Sequence, residues 1–163
     1  MMKYFLSMLI WFLVVACTTS PVTTQNSQLQ AETPIGETAE KLLIGSWYGK
    51  YASDFGDIIE FISVRSSDGT YIVKFRSIDS EGLITQQNEK GIWRVEGNRY
   101  ITNTKAIAKP EEFAPVDAMD PFYNDEYDII LLNDNTFQYQ HVLYKVAFTA
   151  KRVSNNYSFP KVK

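Results

Sequence analysis

Cysteine and histidine, which most often carry nucleophilic, redox or metal chemistry, each occur once in this chain, as Cys17 and His141. One cysteine cannot form an intramolecular disulfide, and one histidine cannot supply a His-rich zinc site. The sequence contains no Gly-x-Ser-x-Gly elbow and no phosphate-binding loop. The 19 acidic residues show no spacing that singles out a catalytic pair. We therefore expect no enzyme, no cofactor and no metal site; a hydrolase would need a carboxylate pair or His141 in a wet cleft.

The N-terminal segment has the pattern of a secretory leader. Lys3 precedes a mostly apolar run from Tyr4 to Ala16, and polar sequence follows at once. A membrane-spanning helix needs about 20 apolar residues. The run is short for a span and has the length of the apolar region of a signal peptide.

The residues Val14-Val15-Ala16-Cys17 resemble the lipobox of bacterial lipoproteins. The resemblance implies that Cys17 is alkylated by a diacylglycerol donor and that the chain is cut before it. Two or three acyl chains would hold the protein firmly, since one chain alone binds a membrane marginally. Thr18 implies transport to the outer membrane of a Gram-negative envelope, facing the periplasm. An ordinary signal peptide with a chance cysteine is the alternative.

Composition divides the chain into a leader (1–16), a lipidated cysteine with a flexible tether (17–38), a folded domain (39–153) and a C-terminal tail (154–163). The tether is rich in Thr, Ser, Gln and Asn and shows no hydrophobic period, so it cannot bury a core. The formal net charge is −3, and no basic stripe is present. Nucleic acid is therefore an unsuitable partner.

The domain shows the period-two alternation of β-strands, with Gly and Asn in the intervening turns. A short helix is predicted at Glu37–Leu43. Eight strands are predicted at Ile44–Ala52, Asp57–Arg65, Thr70–Ile78, Ile84–Val95, Arg99–Ile107, Tyr127–Leu132, Thr136–Val142 and Lys145–Val153. Because short turns join antiparallel neighbours and closure removes exposed edges, we predict an all-β, eight-stranded antiparallel meander barrel with a short N-terminal helix. An open or half-closed sheet wrapped over the helix is the alternative.

The first strand begins with Gly45-Ser46-Trp47-Tyr48, which resembles the Gly-x-Trp motif of lipocalins and their calycin relatives. In that group a basic residue on the last strand packs over the tryptophan and helps to close the barrel. Arg152 matches that position. The resemblance implies a small lipocalin-like barrel, more compact than lipocalins proper, with Trp47 and Arg152 at its closure.

Several aromatic residues alternate onto one face of their strands and are predicted to point inward: Phe61, Tyr71, Phe75, Trp93, Phe137, Tyr139 and Phe148. Eight strands leave an interior that side chains fill or that holds one small ligand, and the pattern leaves both alternatives open. If a pocket exists, the candidate ligand-binding residues are Phe61, Tyr71, Phe75, Trp93, Tyr139 and His141.

The segment Ala108–Glu126 is unusually long for a connection inside a compact domain and is acidic. It could be a lid that offers Phe113, Met119, Phe122 and Tyr123, or a solvated surface loop; its acidic spacing does not fit a calcium loop. The leading hypothesis is a membrane-anchored envelope lipoprotein whose barrel binds a lipid or small apolar molecule. The alternative is a non-enzymatic module with a filled barrel that contacts another envelope protein, with this segment as a candidate contact surface.

Overall fold

The computed structural model describes residues 34–108 and 112–162 of the chain. The predicted leader, the candidate lipidation site Cys17 and the tether up to residue 33 lie outside the described residues and stay predictions. Within the described ranges, no helix is both long enough and apolar enough to cross a bilayer.

The described part of the chain is a single antiparallel sheet preceded by a helix. Its elements are α1 (Gly36–Leu43), β1 (Gly45–Ala52), β2 (Ile58–Arg65), β3 (Thr70–Ile78), β4 (Ile84–Glu96), β5 (Arg99–Ala108), β6 (Phe113–Pro115), a 3-10 helix (Pro121–Tyr123), β7 (Asn124–Leu132), β8 (Thr136–His141) and β9 (Ala147–Val153). The eight strands predicted from alternation correspond to β1–β5 and β7–β9.

The sheet closes on itself. The strand order is β4-β3-β2-β1-β9-β8-β7-β5, and β5 pairs with β4 to complete the ring. The predicted all-β, eight-stranded meander barrel with a short N-terminal helix is therefore confirmed, and an open sheet is excluded. Closure gives every long strand two neighbours, so that no long edge is left exposed.

The connection between β5 and β7 contains more structure than the sequence indicated. β6 pairs with the last residues of β5, beyond the stretch that β7 covers. The 3-10 helix starts at Pro121 after Asp120, whose carboxylate accepts a hydrogen bond from the Phe122 N–H at 2.9 Å, and β7 then begins at Asn124 rather than at the predicted Tyr127. An acidic cap followed by proline is a common helix start, which explains the ordered turn.

The two ends of the barrel differ. Alternate turns of a meander lie at the same end, and α1 packs where the turns β2–β3, β4–β5 and β7–β8 meet. There the Gly36 N–H donates to the Gly97 carbonyl at 3.1 Å. We call this the closed end. The turns β1–β2, β3–β4 and β8–β9 and the β5–β7 connection form the opposite, open end.

Trp47 and Arg152 lie together at the closed end. Trp47 is fully buried, and its indole N–H donates to the Leu43 carbonyl at 2.9 Å. The Arg152 guanidinium carbon lies 4.3 Å from the indole centroid, and its N–H groups donate to the carbonyls of Leu42 and of Ile44, the latter at 2.8 Å. The last carbonyls of a helix have no partner within the helix, so Arg152 caps α1 and covers the tryptophan at once.

Residues 154–162, the predicted tail, lie against the outer face of the barrel. Arg76 there is buried, forms an ion pair with Glu60, donates to the Pro160 carbonyl at 2.8 Å and stacks on the Phe159 ring at 4.6 Å. Burial alone would raise the pKa of Glu60, but hydrogen bonds from Tyr48 and Arg76 outweigh it and hold that pKa below its usual value. The tail is thus part of the folded domain.

We expect Arg152→Met to lower the free energy of unfolding by about 2 kcal/mol, because the carbonyls of Leu42 and Ile44 lose their donor and the indole loses its cation. Lys151→Met, on the exposed neighbouring position, is the matched control and should change it by less than about 0.5 kcal/mol. Urea unfolding followed by circular dichroism measures both. Equal midpoints for the two variants would show that the closed end does not depend on Arg152.

Candidate functional site

A cavity of about 170 Å³ lies inside the barrel. All eight barrel strands contribute to its wall, which is formed by Tyr51, Phe61, Ser63, Arg65, Tyr71, Val73, Phe75, Glu89, Tyr100, Thr102, Thr104, Asp125, Tyr127, Tyr139 and Phe148. The interior is therefore only partly filled by side chains.

Two inward-facing glycines shape this space. A Cβ on Gly49 would lie 2.2 Å from the Phe61 ring, and a Cβ on Gly91 would lie 2.1 Å from the Asn103 carbonyl oxygen and 2.8 Å from the Tyr71 ring. Any larger residue would therefore collide with backbone or with an aromatic ring. Glycine at these positions lets the rings of Phe61 and Tyr71 lie against the neighbouring strands.

Aromatic rings close the inner end of the cavity. Phe137 is fully buried, stacks on Tyr139 with 4.2 Å between centroids, and meets Tyr100 edge-on at 5.5 Å. Trp47 lies behind Phe137 at 6.0 Å. This layer separates the cavity from α1 and the closed end.

The wall also carries polar groups, and three of their residues, Arg65, Tyr100 and Thr104, were not predicted from the sequence. Arg65 is only 3% exposed, and its Nε donates to the Tyr100 hydroxyl at 2.9 Å. The hydroxyls of Tyr71 and Thr104 are hydrogen-bonded to each other at 2.7 Å. The cavity is therefore amphipathic, with aromatic rings and hydroxyl groups around one buried cation.

Two carboxylates stand on the more exposed side of the cavity. Burial, reinforced by the charge of Asp125, raises the pKa of Glu89 despite a hydrogen bond from Gln87. Asp125 lies 3.1 Å from Nε2 of His141. Because Nδ1 of His141 accepts the N–H groups of Leu143 and Tyr144, Nε2 is the nitrogen that donates to Asp125.

The buried tyrosines of the wall are neutral hydrogen-bonding groups. Burial raises the pKa of Tyr100, Tyr127 and Tyr139 above its usual value. The nearby Arg65 opposes this for Tyr100 and Tyr139 without reversing it. Their hydroxyls can therefore donate to a ligand but carry no negative charge that would balance Arg65.

The predicted ligand-binding residues separate into two groups. Phe61, Tyr71, Phe75 and Tyr139 line the cavity. Trp93 lies nearer the closed end, where its indole N–H donates to the Thr70 carbonyl at 3.1 Å. His141 does not line the cavity but contacts two wall residues, Asp125 at 3.1 Å and the Tyr127 ring at 5.1 Å between centroids. Residues 34–108 and 112–162 contain no group of three or more His, Cys, Asp or Glu side chains that could hold a metal ion.

Glu89→Gln is expected to raise the urea midpoint at pH 7, because a raised pKa means that the folded protein holds the ionised carboxylate less well than the unfolded chain does. Near pH 3.5, below the usual glutamate pKa of about 4.3, the carboxyl is mostly protonated in both states and the difference should vanish. Glu81→Gln, in the exposed β3–β4 turn, is the control with the same charge change. A stabilisation that is the same at both pH values would contradict this account.

Comparison with known proteins adds no family. No protein-family model matches the chain, and a search of curated proteins finds no relative. The closed eight-stranded meander with its short N-terminal helix is compatible with a calycin-like fold.

Proposed function

We propose that this protein is a lipid-anchored protein of the bacterial cell envelope whose barrel binds a small ligand with an apolar body. The observation that carries the proposal is the cavity of about 170 Å³ within the barrel, walled largely by aromatic rings. Small-molecule sites are typically concave and mostly apolar, with a few polar groups that orient the ligand.

The size of the cavity limits the ligand. An engineered apolar cavity of about 150 Å³ in another protein holds one benzene molecule. A ligand with one ring or a short chain therefore matches the space, whereas a long acyl chain would leave most of its length outside. Among lipids and small apolar molecules, the dimensions favour the small molecule.

The anchor is proposed from the sequence. The run Val14-Val15-Ala16-Cys17 resembles a lipobox, and residues 18–35 separate Cys17 from α1. A chain of that length spans up to about 60 Å when fully extended. Either end of the barrel could therefore reach the lipid surface, and the outer membrane facing the periplasm is the location that Thr18 favours.

For ligand binding, we expect wild-type protein to bind one-ring compounds such as indole, as measured by isothermal titration. Ser63 faces the cavity and is buried. Ser63→Leu should fill part of the space and weaken binding by at least about tenfold, or 1.4 kcal/mol. Val64→Leu, on the outer face of the same strand, should bind as wild type does. Ser63→Leu protein that stays folded and binds normally would contradict the cavity as the site.

For the anchor, we expect Cys17→Ser to abolish incorporation of labelled palmitate and to move the protein from the membrane fraction to the soluble fraction. The reason is that a serine hydroxyl cannot form the thioether that carries the diacylglycerol. Thr23→Ser, in the tether, is the control and should leave labelling unchanged. Membrane association that survives in Cys17→Ser protein would refute the lipid anchor.

A second candidate function, contact with another envelope protein, is favoured by the surface of the open end. Large apolar side chains project from all four of its connections: Phe55, Leu83, Met119, Phe122, Leu143 and Tyr144. Phe55 is 95% exposed and Met119 86%. Clustered exposed apolar groups often mark interaction sites. The Ser63→Leu variant separates the two functions, since it should weaken ligand binding in the cavity and leave the binding of a protein partner at this open end unchanged.

A further inference from the structure

Arg65 occupies an unusual position for a charged side chain. It is the last residue of β2, its side chain points into the barrel, and it is 3% exposed. Its guanidinium carbon lies 4.7 Å from the Tyr100 centroid and 5.4 Å from that of Phe137. Arg65 therefore stands at the inner end of the cavity, against the aromatic layer that closes it.

The charge of Arg65 is only partly compensated. Its Nη1 is buried and has no hydrogen-bond partner in the part of the chain that the structure describes, and no carboxylate within residues 34–108 or 112–162 forms an ion pair with it. Ring faces and one phenol hydroxyl offset part of the cost of burying a cation. A buried donor without an acceptor nevertheless costs free energy.

A neighbouring cation adds to this cost. The pKa of Arg152 lies below its usual value, first because of burial and further because of the positive charge of Arg65, while Asp134 opposes the shift. Arg65 thus repels the residue that caps α1. An anion beside Arg65 would satisfy Nη1 and relieve that repulsion.

We propose that Arg65 binds the carboxylate of a small monoanionic ligand whose apolar body occupies the aromatic part of the cavity. This inference rests on the proposed ligand-binding function and names the chemical class of the ligand. The planar guanidinium fork matches a carboxylate, and charge-assisted hydrogen bonds of this kind are strong where water is excluded.

The volume of the cavity and the charges at its more exposed side limit the size and charge of the ligand beyond its carboxylate. Its volume of about 170 Å³ admits one ring or a short chain beside the carboxylate. Glu89 and Asp125 lie on the more exposed side, so a second carboxylate on the far end of the ligand would face them. A monocarboxylate such as benzoate therefore fits, and a linear dicarboxylate such as terephthalate does not.

The test uses matched pairs of acids and amides on the purified full-length protein: benzoate and benzamide, phenylacetate and phenylacetamide, hexanoate and hexanamide, with terephthalate as the dianion. Isothermal titration of wild-type protein should show at least one acid binding at least about tenfold more tightly than its amide. Terephthalate should bind more weakly than benzoate.

Arg65→Met should remove the preference for the acid and leave the affinity for the amide within about threefold, because only the charged interaction is lost. Arg94→Met, which removes an exposed arginine from β4, is the control and should keep the preference. Arg65→Lys retains a charge without the fork and should retain part of the preference, which covers the case in which the methionine variant does not fold.

The outcomes separate the two proposals. Amides that bind as tightly as their acids to wild-type protein, or an acid preference that survives in folded Arg65→Met protein, would overturn the role of Arg65 and leave the cavity as a site for neutral ligands. If none of the acids, amides or indole binds at millimolar concentration, ligand binding in the cavity fails as well.

Discussion

The contact of Arg152 with the end of α1 and with Trp47 holds the closed end of the barrel together. The last carbonyls of the helix need donors, and the guanidinium supplies them while it covers the buried indole of Trp47. One side chain thereby joins the last strand, the first strand and the helix. Because fully buried side chains such as Leu43, Trp47 and Phe137 fill this end, the space inside the barrel is a pocket with a floor rather than a channel.

Because the residues of each strand point alternately inward and outward, polar side chains as well as aromatic rings point into this pocket. On β2, the inward residues are Phe61, Ser63 and Arg65 in succession. On β5, they are Tyr100, Thr102 and Thr104. An apolar core would have required apolar residues at all these positions, since burying hydroxyls and a cation weakens folding. The departures from a packed core gather around a single space, as expected for a binding site.

Much of the fold was predictable because each long strand shows the alternation of inward and outward residues within its own sequence. Alternating residues identified all eight barrel strands, Gly- or Asn-containing turns marked most of the boundaries between them, and inward aromatic residues identified part of the wall. Arg65 alternates onto the inward face of its strand as Phe61 does, but it was not predicted as a wall residue because it is not aromatic. The burial of Arg76 had no such signal, because it faces outward and is covered by the tail, whose sequence has no period. His141 alternates inward, yet β8 ends there, so it meets Asp125 at the rim instead.

The two buried arginines of this barrel are almost equally inaccessible to solvent, but their interaction partners differ. Arg76 is 7% exposed and has the Glu60 carboxylate, a backbone carbonyl and a ring. Arg65 is 3% exposed. Its guanidinium lies against two aromatic rings and donates to one phenol hydroxyl, and its Nη1 has no hydrogen-bond partner among the described residues. Arg76, which holds the tail in place, therefore has a full set of partners for its guanidinium. Arg65 instead lines the cavity, and the partner that we propose for its guanidinium is the carboxylate of a ligand in that cavity.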